Sequence, residues 1–269
     1  MKNTSKAELY IISGAIILAL IVFAYFWVMN RDRPTSSTLL NASSTALYVP
    51  PTSEATTTAS SKPEKGPLKP LGLAKLTGPA TVKALILGDS VAESLGASNK
   101  NLTSWNALVA NDLHAKYPGT VEWNYKTTKE ATIDDALKTL PEGTQATDLI
   151  ILCVGRNDGA ILTTDDFKQK YEQFIAELKV KSPHTDLFLV VEPPVKNLAT
   201  NNKTFPYRQV ILDLGEKYKL PVIDEWSAFL NDPTPLSKLL SYGVNPNDKG
   251  YRIFANAVVK KFEEVLASK

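Results

Sequence analysis

The chain has 269 residues, of which 30 are basic and 28 acidic, giving a formal charge of +2, and 43% are hydrophobic. That length suits one sizeable core with appendages, and the balanced charge excludes the one-signed field with which a protein grips nucleic acid. A single cysteine, Cys153, excludes an intrachain disulfide, and with only His114 and His184 beside it no zinc site of the usual ligands is expected.

After a short tail, residues 1–8, the stretch from Leu9 to Met29 is apolar throughout and carries no charge. At ~1.5 Å per residue its roughly 20 residues match the ~30 Å hydrocarbon core of a bilayer, so residues 9–29 are expected to form a transmembrane helix in contact with lipid. A cleaved signal peptide has a shorter apolar region, about 7 to 15 residues, followed by small residues at the cleavage site. Here the run ends in Phe26, Trp27, Val28 and Met29, which points to an uncleaved signal anchor. Lys2 and Lys6 precede it while Arg31 and Arg33 follow it, so the charge rule leaves its orientation open.

Residues 30–70 are rich in Ser, Thr, Ala and Pro and show no period of 2 or 3.6. Such a composition buries too little apolar surface to fold and is expected to behave as a disordered, solvated stalk. Stalks of this kind hold a domain away from an outer membrane face, so the globular part is expected outside the cytoplasm; a cytoplasmic linker is the alternative.

From residue 71 to 269, apolar strands alternate with amphipathic helices. Val82 to Leu87 is a buried strand that stops at Gly88-Asp89-Ser90. A helix near Ser104 to Lys116 follows, with Trp105, Leu108, Val109 and Leu113 on one stripe. Val121 to Tyr125 reads as a strand, and Ile133 to Leu140 as a short helix ended by Pro141. Leu149 to Val154 is a buried run holding Cys153, and Asp165 to Val180 a long helix capped by Thr164. Leu187 to Val191 is a fourth strand ending at Pro193-Pro194, then come a helix near Tyr207 to Lys217, a short strand at Val222 and Ile223, and a final helix from Lys249 to Ala267. This alternation predicts an α/β fold, a five-stranded parallel sheet covered on both faces with right-handed crossovers.

Ligands of open α/β sheets sit at the carboxyl ends of the strands. The first strand delivers Asp89 and Ser90 there, and the third delivers Gly155-Arg156-Asn157-Asp158. Singly, Ser90 reads as a turn or cap residue and Asn157 as an Asx turn. Together, in this order, they resemble two sequence blocks of the SGNH (GDSL-type) serine hydrolases, esterases and acyl hydrolases on a flavodoxin-like α/β/α sandwich. The Pro193-Pro194 turn and the Asp248-Lys249-Gly250-Tyr251 helix start are similar to that family as well.

The resemblance implies Ser90 as nucleophile, with its backbone N–H and the Asn157 side-chain amide as oxyanion donors. Fixed donors of this kind are worth roughly 3 to 4 kcal/mol each where charge develops on an attacked carbonyl. The pocket would be completed by Gly88, Asp89, Gly155 and Asp158. Two positions depart from the family. Glu130 stands where a glycine donates a third N–H, and a carboxylate beside a developing oxyanion is repulsive. Tyr242 and Asn245 stand where the family has its Asp and His, and an amide has no basic nitrogen to take the Ser90 proton.

By topology His114 and His184 fall at the opposite edge from Ser90. The expectation is therefore a membrane-anchored SGNH-like domain that binds or acts on acylated glycan or lipid esters of the cell envelope, with hydrolysis weakened or lost. One alternative is an active esterase using a relocated carboxylate base, Glu130, Asp158 or Asp248; another is a structural or partner-binding domain without catalysis. No cofactor is implied, since neither a Gly-x-Gly-x-x-Gly nor a Gly-x-x-x-x-Gly-Lys loop is present. The oligomeric state is left open.

Overall fold

The structure is a computed structural model that describes residues 71–140 and 147–268. The expected anchor and stalk lie outside the described residues, and among the described residues no helix is long and apolar enough to cross a membrane.

Five strands, β1 (Thr81–Gly88), β2 (Thr120–Thr127), β3 (Leu149–Cys153), β4 (Asp186–Val191) and β5 (Val222–Asp224), form one sheet in the order β2-β1-β3-β4-β5. Every pair in it is parallel. The principal helices are α1 (Trp105–His114), α2 (Ile133–Lys138), α3 (Thr164–Lys181), α4 (Leu198–Tyr218), α5 (Glu225–Asn231) and α6 (Asp248–Ala267). A small antiparallel hairpin, β6 (Leu240–Ser241) with β7 (Asn245–Pro246), precedes α6.

Successive side chains of a strand point to opposite faces, and the runs in β1, β3 and β4 are apolar on both. Ala84, Ile86, Ile151, Cys153, Phe188 and Val190 join Trp105, Phe254 and Phe262 in the core under α1 and α6. Leu85, Leu87, Ile150, Leu152 and Leu189 join Ile133, Phe167, Phe174 and Ile211 in a second core under α2, α3 and α4. The result is the expected three-layer α/β/α sandwich, with the 2-1-3-4-5 strand order of flavodoxin-like folds. Fully burying one such side chain contributes about 1.5–3 kcal/mol.

Several expected boundaries shift. Helix α4 begins at Leu198, not near Tyr207, and runs through Pro206. The Asn197 side chain accepts the Thr200 N–H at 3.0 Å and so nucleates the turn ahead of the proline. Pro206 lies in the helix interior, where its missing N–H removes one backbone bond and its ring crowds the carbonyl of Asn202. Thr163, not Thr164, caps α3, its hydroxyl accepting the Asp166 N–H at 3.1 Å. Helix α2 stops at Lys138, short of Leu140. Strand β2 is longer than the apolar core of its sequence suggests, because all eight of its residues pair with β1.

Candidate active site

Strand β1 ends at Gly88, where any side chain would collide with β3: a Cβ there would lie 2.3 Å from the Cys153 carbonyl oxygen and 2.6 Å from the Ala92 Cβ. The close approach brings the ends of β1 and β3 together and turns the chain into residues 89–95. That turn is held from beneath by Trp105, whose indole Nε1–H donates to the Ala92 carbonyl at 2.9 Å while its ring stacks on Phe254 and meets Trp123 edge-on. Asp89 is buried, and its Oδ1 accepts the Val91 N–H at 2.8 Å.

The Ser90 hydroxyl donates to Asn245 Oδ1 at 3.0 Å. Asn245 reaches it from the β6–β7 hairpin, which is docked on the loops after β3 and β4. Lys196 N–H donates to the Gly243 carbonyl at 2.8 Å, and the Arg156 guanidinium donates to the Val244 carbonyl at 3.4 Å and the Pro193 carbonyl at 3.3 Å. Among the described residues the Ser90 backbone N–H is donated to no carbonyl, which leaves it free to bind a ligand oxygen.

Asn157 lies beside this pair, but both hydrogens of its amide are already engaged. Nδ2 donates to Asp89 Oδ2 at 3.0 Å and to the Ala131 carbonyl at 3.1 Å. Gly155, two residues earlier, has φ of +144°, a conformation that side-chain-bearing residues rarely adopt.

Behind these residues runs a buried ionisable network that joins the expected Asp89 and Asp158 to Glu192, a member not expected from the sequence. Glu192, at the end of β4, accepts the Arg156 backbone N–H at 3.0 Å, and its carboxylate is 3.5 Å from Arg156 Nε. Burial pushes the Glu192 carboxyl well above the usual range; neighbouring Asp89 adds to the rise and Arg156 opposes it. The available signal was a charged residue closing the apolar run Leu187 to Val191, a position that ordinarily demands a partner. Asp158 is fully buried and is pushed up to about 6 by desolvation, against the hydrogen bond it accepts from the Ile133 N–H at 2.9 Å.

Ser90, Asp89, Asn157 and Asn245 thus converge at the carboxyl edge of the sheet. Gly88 and Gly155 shape the same edge and Asp158 is buried behind it, accepting the Ile133 N–H, whereas Glu130, Tyr242 and Asp248 stay outside the cluster. Glu130 is exposed in the turn after β2, and the N–H of the next residue, Ala131, is bonded to the Thr128 carbonyl. Tyr242 sits in the left-handed region with φ of 51° and is fully exposed, its side chain pointing out of the hairpin rather than into the cluster. Asp248 holds the Ser98 N–H and hydroxyl and the Thr103 hydroxyl. Burial acts against its ionisation, yet those hydrogen bonds hold it below the usual carboxylate range.

His114 closes α1 and His184 lies in the turn before β4, both exposed and both at the strand-start edge. Among the described residues no cluster suited to a metal ion is found. A groove of about 420 Å3 walled by Leu178, Phe188, Leu220 and Val265 also lies at that opposite edge and contains none of the clustered residues.

Comparison with known proteins agrees with this architecture. No curated protein matches the chain by sequence. Among solved structures it is similar to the acetylxylan esterase Axe2 from Geobacillus stearothermophilus, at 20% identity and a TM-score of 0.57, over 70% of this chain and 97% of that one. A lipase/acylhydrolase from Enterococcus faecalis gives 20% identity and a TM-score of 0.57, over 70% and 98%. A putative lipolytic protein of the G-D-S-L family from Desulfitobacterium hafniense DCB-2 gives 19% and 0.54, over 67% and 99%. At such identities the likeness establishes the fold. Residues 86–253, more than half of the chain, match the GDSL-like lipase/acylhydrolase family, and the chain belongs to that family.

Proposed function

We propose that this chain is a membrane-anchored, extracytoplasmic SGNH-type domain that holds acyl esters of envelope glycans or lipids and hydrolyses them slowly or not at all. The observation that carries the reading is the 3.0 Å hydrogen bond from Ser90 to Asn245. A hydroxyl paired with a neutral amide has a place to rest its proton but no base to remove it, and removing the base from a serine triad costs about 10⁶ in kcat. The engaged hydrogens of Asn157 add to this, since the amide must give up Asp89 or the Ala131 carbonyl before it can meet an oxyanion. Binding survives such losses, because the free Ser90 N–H and the hydroxyl remain at the strand ends. The apolar stretch 9–29 supports the anchor and the polar stretch 30–70 the stalk.

The test is ester turnover by the full chain in detergent, with acetyl and longer acyl esters, beside Ser90→Ala. The expected result is turnover far below 1 s⁻¹ with ester binding still measurable. Ser90-dependent turnover at the ordinary enzymic scale, about 1 s⁻¹ or more, would overturn the slow-hydrolysis reading. Labelling of introduced cysteines in residues 30–70 from outside intact cells tests the topology; labelling from the cytoplasmic side only would reverse it.

A further inference from the structure

Strand β2 is an edge of the sheet, and among the described residues nothing pairs with its outer side. The N–H groups of Thr120 and Thr128 turn inward, to the Ala80 and Gly88 carbonyls at 3.1 and 3.2 Å. Backbone groups alternate along a strand, so Val121, Trp123, Tyr125 and Thr127 turn their N–H and C=O groups outward along an open edge of eight residues. On one face of that edge Glu122, Asn124 and Lys126 are all exposed. Long open edges attract other chains, and proteins commonly blunt them with charge.

The charge here is arranged differently. Pairing β2 antiparallel with its own copy about a two-fold axis at Asn124 sets Trp123 against Tyr125 and Val121 against Thr127. These are the residues whose backbone groups face outward, so the ladder closes. The same register sets Glu122 against the second copy's Lys126, twice, at the closer, non-hydrogen-bonded positions. Sliding the copy by two residues in either direction would instead face Glu122 with Asn124 or Thr128 and leave both charges without partners. Among the described residues neither Glu122 nor Lys126 forms an ion pair within the chain, and the only side-chain bond of Glu122 is from Asn124 Nδ2 at 3.4 Å.

We infer that the chain forms a two-fold dimer through β2, with the two five-stranded sheets joined into one of ten strands. Because the two copies run antiparallel, their Ser90 edges lie at opposite ends and both stay open. The inference therefore stands apart from the reading of the Ser90 site.

Asn124 faces its own symmetry mate at a Cα separation of about 4.5 Å, within disulfide range. The test is oxidative crosslinking of the full chain in detergent with copper phenanthroline, comparing Asn124→Cys with Val180→Cys. Val180 is 83% exposed on α3 and serves as the control. The expected result is a crosslinked dimer for Asn124→Cys alone. Adding Glu122→Lys or Lys126→Glu turns both attractive pairs into repulsive ones and lowers the yield by about tenfold, while the two changes together restore it. Adding Ser90→Ala leaves it unchanged. Equal crosslinking at positions 124 and 180, no crosslinking at either, or single reversals without effect would each overturn the inference.

Discussion

Ser90 and Asn245, 155 positions apart in sequence, meet through one hydrogen bond of 3.0 Å between hydroxyl and amide oxygen. The hairpin that carries Asn245 is aimed at the serine, so exchanging the amide for an imidazole tests the site with little rebuilding. Asn245→His supplies a base without a carboxylate to orient it, because Tyr242 points into solvent. In a serine triad, base without orienting acid still gives roughly 10 to 100 times more turnover than no base at all. The variant is expected to raise ester hydrolysis by about that factor, with the gain abolished by Ser90→Ala and growing as pH rises past about 6.5, where imidazole becomes neutral. Steady-state rates between pH 5 and 8 check it. Adding Tyr242→Asp is expected to contribute nothing further.

Arg156 joins three segments that build the site: it accompanies Glu192 and donates to the Pro193 and Val244 carbonyls. Breaking a buried charge pair by removing one partner costs about 3–5 kcal/mol, while removing both costs much less. Arg156→Ala is expected to destabilise the fold at the lower end of that range, since Glu192 can take up a proton in its buried site. Arg156→Ala with Glu192→Gln is expected to recover part of the loss. Urea unfolding of the two variants checks this, and equal losses would show that the carboxylate is not strained by losing its partner.

Glu225, the first residue of α5, is fully buried with neither carboxylate oxygen hydrogen-bonded among the described residues, and burial pushes its carboxyl well up, with Asp224 adding to the rise. A folded-state pKa above the unfolded value of about 4.3 means that the folded chain keeps a proton the unfolded chain releases. Stability is then fully present below that value and falls as pH rises above it, by up to about 1.4 kcal/mol per pH unit. Glu192 acts in the same direction. Glu225→Gln carries no such proton, so it is expected to flatten the decline in Tm between pH 5 and 8. A Tm profile parallel to the parent's would refute this.

Gly88→Ala places a methyl group 2.3 Å from the Cys153 carbonyl oxygen. Relief requires β1 and β3 to move apart where the Ser90 turn begins. The expected cost is about 2–4 kcal/mol, comparable to severe overpacking, together with weakened ester binding at Ser90. At about 2–4 °C per kcal/mol for a domain of this size, the change is easily read in a thermal melt.

Features that depend on local pattern are legible in the chain before it folds. The apolar runs of β1, β3 and β4 are buried on both faces, so they read directly as strands of a covered parallel sheet, and the Gly-Asp-Ser and Gly-x-Asn-Asp segments follow at the strand ends where such sheets bind ligands. Relations between segments that share no period emerge only once the chain is folded. The β6–β7 hairpin has two residues per strand, too few to show alternation, so only docking on Arg156 and Lys196 could bring Asn245 to Ser90. The left-handed turn at Tyr242 sends outward a side chain that sequence order alone would have put in the site. The donors of Asn157 are directed by Asp89 and Ala131, residues remote in sequence. Strand identity is written in the burial demand of neighbouring side chains; the aim of a polar group depends on which distant partner the folded chain leaves within reach.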